Sequence, residues 1–159
     1  MPGQRSHALR RGCWSQPGGI YLLTFVTEGR RPWFAEWDPA SRIARALASV
    51  EAWGDVSLLC WVLMPDHWHG VLQLGSREPL SRCVGRARAH ATRTWKPPGD
   101  GPRLWQRSFH DRALRAEERL VDVARYVVMN PLRAGLVRRI GDYPYWDAVW
   151  ISQDAAPAM

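Results

Sequence analysis

The run of residues 61–74, Trp-Val-Leu-Met-Pro-Asp-His-Trp-His-Gly-Val-Leu-Gln-Leu, constrains the fold more than any other stretch. Two apolar segments, 58–64 and 71–74, meet at Pro65-Asp66. Both are rich in residues suited to a half-buried sheet, which predicts a β-hairpin. Side chains alternate faces along a strand, so His67, His69 and Gln73 point one way while Trp68, Leu72 and Leu74 point the other. Two imidazoles on one face of a rigid strand can hold a divalent cation and leave its remaining coordination positions open. A bare His-x-His also occurs on surface strands that bind nothing, so its meaning depends on what else the chain carries.

Residues 20–27, Ile-Tyr-Leu-Leu-Thr-Phe-Val-Thr, predict a strand closed by a turn at Glu28-Gly29-Arg30. Asp38 is placed to cap a helix that begins at Pro39 and runs to about Trp53, where Gly54-Asp55 stops it. From Glu78 to Trp95 the period is helical, with Leu80, Val84, Ala87, Ala91 and Trp95 on one face and Arg82, Arg86 and Arg93 on the other. That arginine stripe is either a phosphate-binding face or an ordinary solvated one. A turn-rich connector at 97–102 leads to a strand, or a pair of short strands, within 104–114.

A second helix is predicted over 116–130. Leu120, Ala124 and Val127 form its core stripe, while Arg119, Asp122, Tyr126 and Asn130 lie on the other side. Pro131 disfavours the α conformation at Asn130, which places the asparagine at the last turn with its amide free to act as an oxygen ligand. Tyr126 sits one turn before it on the polar side, whereas a tyrosine kept for packing more often joins the apolar stripe.

At 159 residues the chain is expected to form one domain, over residues 20–150, between a basic lead-in at 1–19 and a tail at 151–159 that frays. A net charge of +7, carried by 21 arginines and the single Lys96, points to a polyanionic partner. A genome-wide preference for arginine would give the same ratio, but arginine is also the better residue for forked phosphate contacts and base stacking. Cys13, Cys60 and Cys83 are widely spaced and odd in number, which argues against a disulfide framework or zinc knuckle and for a reducing compartment. No apolar stretch is long enough to span a bilayer, so the expected location is cytoplasmic, associated with the nucleoid.

Four segments together carry a resemblance: Met-Pro-Asp-His-Trp-His at 64–69, Leu-Ser-Arg-Cys-Val-Gly-Arg at 80–86, Leu-Trp-Gln at 104–106, and Tyr-Val-Val-Met-Asn-Pro-Leu-Arg-Ala-Gly-Leu-Val at 126–137. In that order they resemble the IS200-like transposases, and more particularly the REP-associated tyrosine transposases, over roughly residues 20–146. Leu22, where many relatives have histidine, and Asp147, where serine is common, depart from the pattern. The resemblance implies an α+β HUH endonuclease fold of ferredoxin-like type, a central antiparallel sheet flanked by helices. It implies His67 and His69 as metal ligands, Asn130 completing the protein's share of a Mg²⁺ or Mn²⁺ site, and Tyr126 as the nucleophile.

Single-stranded or hairpin DNA from palindromic repeats is the implied partner, with Arg82, Arg86 and Arg93 as candidate phosphate contacts and a monomer rather than a helix-exchanging dimer as the working unit. A free phenol, with a pKa of about 10, is a weak nucleophile at neutral pH, so attack on a phosphodiester needs charge neutralised at phosphate and the oxygen held in line. A 5′-phosphotyrosine and a free 3′-hydroxyl would then form, conserving bond energy for rejoining. Two other readings use the same residues: a metal-dependent hydrolase with a metal-bound water, drawing on His67, His69 and Asp66 or Asp111, and a DNA-binding remnant of a mobile element that no longer cleaves.

Overall fold

In the computed structural model, which describes residues 15–95 and 101–150, the strands are Ile20–Val26 (β1), Val56–Met64 (β2), His67–Leu74 (β3), His110–Ala113 (β4) and Trp146–Ala148 (β5). They pair antiparallel in the order β4-β1-β3-β2-β5. The predicted hairpin is the centre of this sheet: β2 and β3 are joined by Pro65-Asp66 alone, and His67 lies opposite Met64. The fold is α+β, as expected.

Each face of the sheet carries its own core. Helices Trp37–Ala48 (α1), Val50–Trp53 (α2) and Leu80–Thr94 (α3) cover the face to which Phe25, Leu63, Trp68 and Leu72 point. There Trp68 is fully buried, with its ring 5.0 Å from Phe25 and 5.3 Å from Trp53. A buried indole removes roughly 200 Å² of mostly apolar surface from water, on the order of 5 kcal/mol before ordering costs. The other face is lined by Cys60, Val62, Met64 and Val71. It is covered by helix Leu120–Val128 (α4), through Ala124 and Val127, and by the short helix Asn130–Arg133 (α5).

Several predicted boundaries move. The first helix starts at Trp37, with Asp38 inside its first turn bonded to Arg42 rather than capping, and extended backbone at Ser49 splits it in two. The arginine-striped helix begins at Leu80, after Pro79. Residues 116–119 are a turn rather than helix, because Glu118 accepts both the Arg115 N–H and the Arg112 guanidinium there. The lead-in is already tied down by Ser15, whose hydroxyl accepts the Leu80 N–H, and by Gly18, whose N–H reaches the Leu74 carbonyl. The remainder of the basic lead-in, most of the connector and the tail at 151–159 lie outside the described residues. No helix among the described residues is long and apolar enough to cross a membrane.

Candidate active site

The sheet register places His110, Thr24, His69, Val62 and Trp146 in one row across all five strands, with His67 one step along β3 on the same face. The two imidazole rings lie 6.5 Å apart between centroids, at 68° to each other. Both are held by Nδ1. In His67 that nitrogen is 2.7 Å from the Asp66 carboxylate; in His69 it is 2.9 Å from the Leu23 carbonyl and 2.6 Å from the Thr24 hydroxyl. A carbonyl or carboxylate only accepts, so Nδ1 must carry the proton in each ring. The Nε2 lone pairs are thereby left for a ligand, which is the tautomer and second-sphere arrangement that metal-binding histidines use.

Burial, the neighbouring His67 and the positive charge of Arg133 push His69 down to about 4, against the opposing hydrogen bond to Leu23. His69 is therefore neutral at physiological pH, the form that coordinates cations. Asp66 has a second partner, Arg30, whose guanidinium lies 3.5 Å from its other oxygen.

Helix α4 brings the tyrosine to this face. It packs on β2, β3 and β5, and Tyr126 projects from its outer side, 58% exposed. The helix does not stop at Asn130 as predicted. It breaks at Met129 (ψ 2°), and Asn130-Pro131 starts one further turn, with Pro131 in a first-turn position where its missing N–H costs nothing. Gly135, at φ +72°, ends that turn: its N–H bonds the Leu132 carbonyl and the Leu136 N–H bonds the Pro131 carbonyl. Asn130 is half-buried at the head of α5, which also packs against β2.

Arg133, the last residue of α5, lies with its guanidinium carbon 3.9 Å from the centroid of the Tyr126 ring. Asp122, Arg125, Tyr126, Met129 and Arg133 line an open cleft of about 300 Å³ around the phenol. Two histidines on one strand face are nitrogen donors of the kind a divalent cation can take. The described residues contain no group of three or more His, Cys, Asp or Glu able to hold a metal. Asp66 is committed to His67 and Arg30. Asp111 pairs in register with Leu23, so it points to the opposite face.

The predicted phosphate contacts are not part of this cluster. Helix α3 covers the opposite face of the sheet. Arg82 and Arg93 are exposed on it, while Arg86 is gripped by both Glu78 carboxylate oxygens and by the Trp53 carbonyl. Its hydrogen bonds hold Glu78 below the ordinary carboxylate range. Thr24, Asp66 as an orienting group, and Arg133 are the site residues that sequence reasoning missed. Only Asp66, adjacent to His67, carried a local signal for its role.

A comparison with protein families matches residues 16–130 to the family described as transposase IS200-like. The chain belongs to the IS200-like transposase family. Among solved structures, it is similar to one described as the REP-associated tyrosine transposase bound to a REP hairpin, with a TM-score of 0.69 and 20% identity over 99% of this chain and 87% of that one. It is also similar to a putative transposase from Deinococcus radiodurans, with a TM-score of 0.52 and 18% identity over 80% and 95% of the two chains. At such identities the likeness is one of fold. A comparison with curated protein sequences finds no match. Of the two departures from the IS200-like pattern, Leu22 packs among the apolar residues of the histidine face, and Asp147 accepts the N–H of Ala148.

Proposed function

We propose that this IS200-like transposase is a metal-dependent single-stranded DNA endonuclease and strand transferase that acts beside DNA hairpins through a 5′-phosphotyrosine on Tyr126. One observation carries the reading. Of the chain's four tyrosines, Tyr126 alone is exposed, and it stands on the helix that covers the histidine face. Tyr21 is buried with its hydroxyl accepting the Gln16 N–H, Tyr143 is buried with its hydroxyl bonded to the Leu63 carbonyl, and Tyr145 is half-buried in the sheet-edge aromatic cluster. No other phenol is open to a macromolecular substrate.

In the proposed reaction, the Tyr126 Oη–phosphorus bond forms as the bond from phosphorus to the 3′-oxygen breaks. The phenol loses a proton and the departing 3′-oxygen gains one, so the phosphodiester's single charge is preserved. His67 and His69, through Nε2, and Asn130, through its amide oxygen, would hold Mg²⁺ or Mn²⁺, which when bound neutralises charge on the phosphate. Thr24, the Leu23 carbonyl and Asp66 fix the two rings. A monomer is the proposed working unit.

Arg82 and Arg93 are proposed as phosphate contacts to DNA that extends beyond the cleavage site, and Arg86 as a structural residue. That the related fold named above is bound to a REP hairpin, together with the net charge of +7, supports palindromic hairpin DNA as the partner.

The test is a labelled single-stranded oligonucleotide carrying a palindrome from beside the gene, incubated with Mn²⁺ and run on a denaturing protein gel. A covalent adduct is expected with the wild type and with neither Tyr126→Phe nor His67→Ala. Cleavage that survives Tyr126→Phe without an adduct would instead establish the metal-bound-water hydrolase. Binding without cleavage would establish the DNA-binding remnant.

A further inference from the structure

Arg133 is placed by the break at Met129. It lies seven residues after Tyr126 on the same side of the helical path, and side chains on a helix lean towards its N-terminus, so the guanidinium falls back over the phenol. The guanidinium carbon lies over the phenol ring, 3.9 Å from its centroid. Among the described residues the N–H donors of Arg133 have no hydrogen-bond or ion-pair partner, and the Asp122 carboxylate that lines the same cleft pairs with Arg119 and Arg125. A planar cation stacked on a ring with its edge unclaimed can still fork onto two oxygens of a phosphate. Arg133 and Tyr126 line the same open cleft, so a phosphate that reaches the phenol comes within reach of the guanidinium.

We propose that Arg133 serves the cleavage step twice: it positions the Tyr126 ring through its face and binds a non-bridging oxygen of the scissile phosphate through its edge. The inference rests on the function proposed above. As Tyr126 Oη bonds to phosphorus and the 3′-oxygen leaves, negative charge gathers on the equatorial oxygens. A preorganised guanidinium then contributes more in the transition state than in the bound ground state. Its effect falls on the rate of adduct formation rather than on hairpin affinity.

The experiment measures single-turnover adduct formation at saturating oligonucleotide, alongside hairpin affinity in EDTA, for wild type, Arg133→Ala and Arg133→Lys. The expected rate for Arg133→Ala is roughly 100-fold below wild type, with affinity changed less than about threefold. Arg133→Lys keeps the charge but loses the fork and the flat face, and is expected about 10-fold below wild type.

Millimolar guanidinium should restore part of the Arg133→Ala rate and none of the Arg133→Lys rate, a response that a merely structural role would not produce. A rate for Arg133→Ala within twofold of wild type would overturn the proposal. So would a rate loss that saturating DNA abolishes, or one that added guanidinium leaves untouched while the melting temperature falls. If the wild type forms no adduct, the function proposed above fails and this inference with it; a wild-type adduct with unimpaired Arg133→Ala removes the role of Arg133 alone.

Discussion

Gly70 follows the second histidine and permits the indole of Trp68 to lie flat along the strand. Its backbone is ordinary extended strand, so the constraint is space rather than conformation. A Cβ at this position would stand 2.4 Å from Cη2 and 2.8 Å from Cζ2 of Trp68, and 3.0 Å from the Cys60 carbonyl oxygen. Carbon atoms pack at roughly 3.5–4.0 Å, so the ring would have to retreat by about 1 Å or more. Trp68 cannot retreat cheaply, because it is fully buried between Phe25 and Trp53.

Overpacking of this kind costs roughly 1–3 kcal/mol, and the closeness of two ring atoms puts Gly70→Ala at about 3. For a domain of this length that corresponds to a melting temperature lower by roughly 6–12 °C. Calorimetry or circular dichroism measures it. The double variant Trp68→Phe/Gly70→Ala supplies the decisive control, because a phenyl ring lacks the outer indole carbons that clash. The Gly70→Ala cost measured on that background should shrink to below about 1 kcal/mol. A Gly70→Ala protein that melts within a degree of wild type, or a cost that Trp68→Phe does not relieve, would refute the steric reasoning.

Other consequences follow from the hydrogen bonds and the buried groups. Asp66→Asn removes the carboxylate that fixes His67, and Mn²⁺ affinity measured by titration calorimetry should fall about 10- to 100-fold with little change in melting temperature. Tyr143→Phe leaves the Leu63 carbonyl without its buried hydroxyl partner, and should cost about 1–3 kcal/mol in denaturant unfolding without altering the cleavage rate. Burial pushes the Cys60 thiol up from 9.0 to about 12. A raised folded-state pKa contributes stability that is complete below the unfolded value and is lost as pH rises through the folded one. Unfolding free energy should therefore decline from pH 9 towards 12, and less steeply in Cys60→Ala. Parallel slopes for the two proteins would count against that assignment.

The hairpin was legible because alternation is a local property: the same period that sends Trp68 into the aromatic core sends His67 and His69 together to the other face. Tyr126 was legible as a helix position for a similar reason, with Ala124 and Val127 marking the buried side. What escaped depended on partners distant in sequence. Thr24 meets His69 only through strand register, 45 residues apart. Arg86 reads as a free member of a stripe until the fold brings Glu78 and the Trp53 carbonyl around it. The start of α4 moved because Glu118 satisfies a backbone N–H and an arginine in the turn before the helix, a choice that helical periodicity does not register. Pro131 reads in the sequence as a stop, yet a proline in a first turn starts a helix as readily as it ends one, and that restart is what delivers Arg133 to Tyr126.

The central claim is that Tyr126 takes the DNA. Mass spectrometry of the trapped adduct, after nuclease trimming and trypsin digestion, locates the attachment directly. The peptide of residues 126–133 should carry a 5′-linked nucleotide on its tyrosine, and the peptides holding Tyr21, Tyr143 and Tyr145 should be unmodified. A nucleotide on any of those three, or on a residue that is not tyrosine, would contradict the assignment.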